Sequence, residues 1–587
     1  MHSAEFQILS EMVLILGLSL LIILLFNRFK LPSILGFLVT GIIIGPYGLK
    51  LIKATQEVSL FSEIGIIFLL FVIGMEFSLK ELLKIKRTVL IGGSIQVVLT
   101  IAAVAACGLL LNLPLNESFF LGFLIAMSST AIVLKLLQER GEVYTPHGKV
   151  VLAILIFQDL VVVPLLLITP LMAGQQEDIA KEILVLLAKI VGVLAVLFLL
   201  TRYLVPWILK IVVRTKNREL FLLTIVALCF ATAWMTASVG LSLALGAFFA
   251  GLIISESPYS HQATALVLPF REIFLSFFFV SVGMLLDLNF FLDHIWLIHL
   301  FALGAIVLKF GIASIAALLL RYPLRTTYLS ALALAQVGEF AFLLAASGLT
   351  EGILSPDVYQ YFLAVSIISM GITPVIVHFS GPITEFLIRW PMARNVLARL
   401  DAINLARQAE FKRYEDYRDH LVIIGCGVNG KNLSKAARFS KIQYLIVETD
   451  PAIFEHARRH GEPILFGDAT SDEILSHLKI ETARMIVIAI SDIVATKKIV
   501  SAIRRMTTKA YLIVRTRSVS QVEDIIALGA DEVIPQEFET SVKIFTVVLE
   551  KYLVPDQKIA EFADQIRSDH YEMFRKNADA SLSEPGR

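Results

Sequence analysis

Charge is scarce in this sequence. Only 17% of its 587 residues are Asp, Glu, Lys or Arg, while 57% are hydrophobic; a soluble chain averages about 25% charged and about 45–50% apolar. That deficit excludes an ordinary water-soluble protein. Cysteine is scarcer still, with Cys107, Cys229 and Cys426 as the whole set, which excludes a disulfide framework. A net charge of +1 gives no basis for a nucleic-acid partner. Glu5 and Glu11 but no Lys or Arg mark the start of the first apolar run, which is not how a cleaved signal peptide begins. A carbonyl selectivity filter such as TVGYG is also missing, which argues against a ligand-gated potassium channel.

What is present is a procession of apolar runs from residue 8 to about 380, followed from about 383 by ordinary charge density. One part must dissolve in lipid and the other in water. A helix needs about 20 apolar residues to cross a bilayer. Thirteen stretches qualify, centred near 17, 39, 67, 100, 128, 161, 194, 228, 247, 278, 307, 338 and 368, those near 39 and 247 being short and glycine-rich. An odd number places the two ends on opposite sides. One set of loops holds Arg28/Lys30, Lys80/Lys84/Lys86/Arg87, Arg140/Lys149, Lys210/Arg214/Lys216/Arg218 and Arg321/Arg325, against only Lys50, Lys53 and Lys181 in the other. Positive loops stay inside, so the N-terminus is expected outside and the polar tail in the cytoplasm.

The apolar part resembles itself. LGFLVTGIII (35–44) matches LGAFFAGLII (245–254) at an offset of 210, and FSEIGIIFLLFVIGM (61–75) matches FREIFLSFFFVSVGM (270–284) at 209. AMSSTAIVLKLL (126–137) lies over AQVGEFAFLLAA (335–346), and Pro164 answers Pro374. Equivalent spans are seven helices apart, so the halves cross the membrane in opposite directions. Inverted repeats are the plan of secondary transporters, with the binding site at the midplane between them.

Ionisable groups inside spans are expensive and therefore functional candidates. Glu63, Arg271 and Glu272 lie near span ends, where a long side chain reaches the interface; Glu76 and Lys135 sit close to an edge, and Lys189 stands on the span without a repeat partner. Asp159, Lys309 and Glu339 are deeper. Asp159 lies five residues before Pro164, whose ring removes the hydrogen bond to the carbonyl of residue 160. Burial disfavours the carboxylate's charge unless a cation or Lys309 compensates. Such a carboxyl holds a proton or a metal cation, not both, and competition for one site with alternating access is antiport. Thr130 corresponds to Glu339 in the repeat, and SST (128–130) and VGE (337–339) are weak helix segments. Broken helices are expected there, aiming helix ends into the midplane beside Asp159, with Lys309 balancing carboxylates or the negative helix ends.

SSTAIVLKLLQERG (128–141), FQDLVVVPLL (157–166), FFFVSVGMLLD (277–287), Lys309 and QVGEFAF (336–342) resemble the Kef-type glutathione-gated potassium efflux systems of the monovalent cation:proton antiporter-2 superfamily. The resemblance runs to about residue 553. It implies an all-α polytopic membrane domain of about 13 transmembrane helices, a sodium/proton-antiporter-like inverted repeat working as a homodimer in a bacterial-type cytoplasmic membrane. It also implies that Gln158 and Asp159 line the ion site, with Ser129 and Thr130 at the helix crossing. Gln158 stands where electrogenic relatives carry a second aspartate, which predicts electroneutral exchange of K+ or Na+ for H+. The acidic cytoplasmic loop of the glutathione-gated relatives is not matched: SESPYSHQATALVLPF (255–270) has no acid after Glu256 before Glu272, so a latch of that type is not expected.

Four segments follow: a transport domain (1–382), an Arg- and aromatic-rich amphipathic linker (383–419), a nucleotide-binding domain (420–553) and a frayed C-terminal tail (554–587). Within 420–553, six short apolar strands at HLVIIG, QYLIVE, PILFGD, MIVIAI, YLIVRT and EVIP alternate with polar helices, the pattern of a parallel α/β Rossmann-like sheet. Gly425, Gly427 and Gly430 follow the first strand and open a helix, and Glu448 ends the second. Glycines let backbone N–H groups reach phosphate; an acid at Glu448 takes ribose hydroxyls and repels a 2′-phosphate, disfavouring NADP. The segment resembles a regulator-of-potassium-conductance domain. By that resemblance Asp468 falls where the family contacts adenosine, Arg515 faces the cleft, and the ligand is an adenine nucleotide (AMP, ATP or NAD(H)). A membrane-tethered oxidoreductase would need a second substrate domain or a hydride acceptor site, and neither is legible. Cys426 reads as a small residue in a tight turn.

Overall fold

The computed structural model describes residues 4–29, 31–52, 55–76, 88–173, 205–238, 243–255, 257–389 and 417–568. The chain divides into two units, with the main division between Ile388 and Arg389. The first is helical: α1 (Ala4–Arg28), α2 (Ser33–Ile44), α3 (Thr55–Glu76), α4 (Gly93–Leu110), α5 (Leu115–Ala126), α6 (Thr130–Glu139), α7 (Pro146–Met172), α8 (Val205–Arg214) and α9 (Arg218–Ser238). After them come α10 (Leu243–Ser255), α11 (Ser260–Met284), α12 (Leu288–Asp293), α13 (Ile295–Leu319), α14 (Leu324–Leu334), α15 (Glu339–Thr350), α16 (Pro356–His378) and α17 (Ser380–Arg389).

Among the described residues, eight helical stretches, one of them α5 with α6, are long and apolar enough to cross a membrane, and α14 with α15 forms a ninth span bent by 47°. Shorter apolar helices lie at Ser33–Ile44, Leu60–Met75 and Leu243–Ser255. Every expected span has its helix except the one near 194, which with Lys189 lies outside the described residues, as do most of the linker and the last nineteen positions. Pro164 and Pro170 sit inside α7 without ending it; each removes one backbone bond, a loss that membrane helices tolerate.

The repeat is visible as packing. Helix α3 packs on α10 and α11, and α11 packs on α2, so each short helix of one half lies on the long helix of the other. Glycines allow the close approach, and they come in related pairs. A Cβ on Gly41 would collide with the carbonyl of Val280, and one on Gly251 with that of Phe71. A Cβ on Gly74 would meet the Phe248 carbonyl, and one on Gly283 the Leu38 carbonyl. All four pairs are related by the offsets of 209 and 210 read from the sequence.

The second unit carries a six-stranded sheet, β1 (Leu421–Ile424), β2 (Tyr444–Glu448), β3 (Ile464–Phe466), β4 (Met485–Ile488), β5 (Tyr511–Thr516) and β6 (Glu532–Pro535). Every pairing is parallel, in the order β3-β2-β1-β4-β5-β6. Strands β1 and β2 are buried along their whole length, as expected of central strands covered on both faces. The order reverses beside β1, which leaves a crevice at the carboxyl ends of β1 and β4.

Gly41→Ala and Gly251→Ala should each lower the melting midpoint of the detergent-solubilised protein, by the equivalent of about 1–3 kcal/mol of overpacking. Gly304→Ala, whose Cβ would meet nothing within 4 Å, should not lower it. An unchanged midpoint for Gly251→Ala would contradict the paired contact.

Candidate functional site

In the first unit two interrupted helices meet. Helix α5 stops at Ala126 and α6 begins at Thr130; α14 stops at Leu334 and α15 begins at Glu339. The residues between are extended at Met127, Ser129 and Gly338. They cross in contact: Gly338 N–H donates to Met127 O at 3.1 Å, and a Cβ on Gly338 would run into the Ser128 backbone. Ser128 Oγ donates to Leu334 O at 3.0 Å and Gln336 Nε2 to Ser129 O at 3.4 Å. The Ser129 hydroxyl caps α6, accepting Ile132 N–H at 3.2 Å. The expected breaks at SST and VGE are therefore present, and they face each other.

Each interruption exposes helix-end groups that must find partners. The carbonyl end of α5 finds Lys309, on α13 and 1% exposed. Its Nζ donates to Ile125 O at 2.7 Å, Ala126 O at 3.3 Å and Met127 O at 2.7 Å. Three acceptors match the three N–H donors of an ammonium. Of the two roles left open by the sequence, Lys309 takes the helix end.

Helix α7 grips the crossing with adjacent residues. Gln158 Oε1 accepts Ser128 N–H at 2.8 Å. Thr130 Oγ1 donates to the Asp159 carboxylate, at 3.0 Å from Oδ1 and 3.1 Å from Oδ2. Asp159 is half-buried and Gln158 1% exposed. Gln158, read from sequence as lining the ion site, has its other polar atom on protein too: Nε2 donates to Gln96 Oε1 at 2.6 Å. Glu339, 6% exposed, heads α15, where a helix N-terminus favours a carboxylate. Its Oε1 accepts Ala131 N–H at 3.4 Å, and its buried Oε2 has no hydrogen-bond partner among the described residues.

The repeat relates the donors of two of these contacts. Val337 N–H, the equivalent of Ser128 N–H, donates to Ser369 Oγ at 3.2 Å, one position beyond the equivalent of Gln158. Ser369 occupies the position of Asp159, and Glu339 that of Thr130. Each half thus brings one carboxylate and one hydroxyl, on exchanged helices. Gln96 and Thr100, both fully buried on α4, were not picked out by sequence reasoning. Two polar residues one helical turn apart in an apolar span were the available signal. Glu117 was also missed; it is buried, and its Oε1 accepts from Ser355 N at 2.8 Å and Ser355 Oγ at 2.7 Å.

In the second unit the predicted residues lie at the carboxyl ends of β1, β2, β3 and β5. Gly425 turns the chain after β1 with φ +100°, a region open to glycine. Gly430 lies in α18 (Val428–Phe439), where a Cβ would strike the Gly425 carbonyl, whereas one on Gly427 meets nothing within 4 Å. The space beside Gly427 is where a phosphate would approach the helix N-terminus. Glu448 holds this loop: Oε2 accepts Cys426 N–H at 2.7 Å, and Oε1 accepts Thr449 N–H at 2.7 Å and Asp450 N–H at 2.9 Å. Asp468 Oδ1 accepts Thr470 N–H at 2.9 Å. Arg515 donates to Ser491 Oγ at 3.1 Å and to Gln536 Oε1, and burial holds its guanidinium below the usual range.

Residues 15–380 match the family described as "Sodium/hydrogen exchanger, transmembrane", and residues 421–536 match the TrkA-N domain. The chain is 30% identical over 575 residues, 97% of its length and 85% of the relative's, to a protein of Alkalimonas amylolytica named for K(+) efflux antiport, KefB. It is 28% identical over 571 residues, 97% of its length and 89% of the relative's, to the glutathione-regulated potassium-efflux system protein KefC of Escherichia coli O6:H1. The fold is like that of the sodium proton antiporter MjNhaP1 of Methanocaldococcus jannaschii, with a TM-score of 0.51 and 16% identity, covering 65% of this chain and 99% of that one.

Burial first, and then the Glu448 charge, push the Cys426 thiol up to about 11, so it stays protonated near neutrality and is a poor nucleophile. Iodoacetamide at pH 7.5 should leave Cys426 unmodified in the folded protein and modify it after denaturation, read by peptide mass spectrometry. Rapid native labelling would contradict the buried turn.

Proposed function

The chain belongs to the sodium/hydrogen exchanger family, and from that premise we propose that it exchanges potassium for protons, with Asp159 as the exchanging carboxylate. It is a secondary transporter rather than an enzyme. The observation that carries the site is the Thr130–Asp159 contact at the crossing of two interrupted helices. A half-buried carboxylate beside a hydroxyl and helix ends offers the hard oxygens that a monovalent cation takes, and the same carboxylate takes a proton when the cation leaves. Ser129, Gln158, Lys309 and Glu339 complete the proposed ion site. Gln158 and Lys309 act through the backbone of the crossing, and Glu339 is a second carboxylate across it.

The names of the two relatives favour potassium over sodium. The proposal places residues 1–382 in the bilayer as a homodimer and the nucleotide-binding domain, 420–553, on the cytoplasmic side selected by the Lys and Arg of the loops. There an adenine nucleotide (AMP, ATP or NAD(H)) regulates transport, its phosphates over Gly425, Gly427 and Gly430 and its adenosine toward Glu448, Asp468 and Arg515. The TrkA-N match and the open space at Gly427 support that reading.

In proteoliposomes, a potassium gradient should drive proton movement in the parent, and Asp159→Asn should abolish it while the protein stays folded. Normal exchange by Asp159→Asn would refute the site, and better coupling to sodium would rename the substrate. Gly427→Asp should remove the thermal shift given by AMP, ATP or NADH and alter regulation, with cation KM unchanged. A retained ligand shift in that variant would place the nucleotide elsewhere.

A further inference from the structure

Four polar groups link α4, α7 and the interruption after α5 into a closed chain whose direction is forced. Ser128 N–H can only donate, and it meets Gln158 Oε1 at 2.8 Å. That fixes the Gln158 amide with its NH2 outward, donating to Gln96 Oε1 at 2.6 Å. Gln96 must then present its own NH2 on the other side, where it meets Ala126 O at 3.2 Å and Thr100 Oγ1 at 3.3 Å. Ala126 O can only accept. Both ends of the chain are backbone groups of fixed polarity, two residues apart where α5 ends, so neither amide can flip without setting like atoms against each other. Helix α7 comes this close to α4 because Gly93 leaves room for Phe157, which a Cβ there would strike.

We propose that Gln96 is a positioning residue for the ion site, holding Gln158 in the one orientation that pins the crossing beneath Asp159. The inference rests on the reading of Asp159 as the exchanging group. Gln96 touches no transported ion; it acts because Gln158 and Asp159 are neighbours on α7 while Ser128 and Thr130 are their partners on the crossing. Releasing the Gln158 amide lets the segment shift and changes the distance from the Thr130 hydroxyl to the carboxylate. The chain also explains why position 158 carries an amide. An ionised aspartate there is an acceptor only; Gln96 would have to turn its NH2 toward it and its oxygen toward Ala126 O. Among the described residues, the charged groups at the crossing are Lys309 from α13, which shares Ala126 O, Asp159 on α7, and Glu339 at the head of α15.

The test is Gln96→Glu, which keeps shape and volume. A protonated carboxyl still donates to Ala126 O and accepts from Gln158; an ionised one cannot donate. Cation-driven proton flux in proteoliposomes should therefore resemble the parent at low pH and be lost on the alkaline side of a titration step that the parent lacks. The cation KM there should rise about tenfold or more, the usual effect of removing a group that orients a ligand. Gln96→Leu keeps the bulk without either bond and should raise KM at every pH with no added step, which serves if the carboxyl variant does not fold. Parent-like KM and pH profile in Gln96→Glu, or parent-like KM in Gln96→Leu, overturn the positioning role. Asp159→Asn run in parallel separates that failure from failure of the site: if it exchanges normally, the site reading falls first.

Discussion

The three N–H donors of Lys309 meet the carbonyls of Ile125, Ala126 and Met127, and the crossing of the two interrupted helices stands on that match. A helix stopped in mid-membrane leaves carbonyls without partners, and each one buried and unpaired costs about 1–3 kcal/mol. A buried ammonium also costs several kcal/mol unless it is paired and hydrogen-bonded. Each solves the other's problem. The second interruption uses a neutral donor, Ser128 Oγ on Leu334 O, so the repeat is symmetric in backbone and asymmetric in charge.

Lys309 is committed to carbonyls, and Gln158 to Ser128 and Gln96. Asp159 bonds the Thr130 hydroxyl and is half-buried, which suits the ion-exchanging role proposed for it. Glu339 is more deeply buried and faces the α6 N-terminus through Ala131 N–H. Its position, equivalent to Thr130 by the repeat, shows how an inverted duplication brings two carboxylates to one crossing from opposite directions. Tight glycine contacts of α2 and α3 with α10 and α11 hold the other part of the repeat close while the crossing stays polar.

Much of this was legible in the sequence. The strand positions, the glycine loop, the repeat offset and both helix breaks follow from apolar periodicity, turn residues and self-similarity. The pairing of Thr130 with Asp159 was foreshadowed by placing SST beside the aspartate. What the sequence could not supply was direction. Lys309 could have paired with a carboxylate or a helix end, and only the fold shows that the α5 carbonyls come within reach. The family resemblance put Gln158 on the ion site; its amide orientation is set by Ser128 N–H and matched by Gln96, 62 residues away, which no local pattern connects to it. Glu448 likewise read as a ribose ligand, and the fold adds that it also ties the glycine loop to β2 through Cys426 N–H.

In the exchange proposed for Asp159, one carboxylate carries one monovalent cation in one direction and one proton in the other, so a full cycle moves no net charge. Current across a bilayer holding the reconstituted protein, recorded under opposed potassium and pH gradients with the voltage stepped, tests it most directly. Exchange without steady current, at a rate independent of voltage, is the expected result. A steady current that reverses with the combined gradients would mean that a second charge travels, and would contradict it.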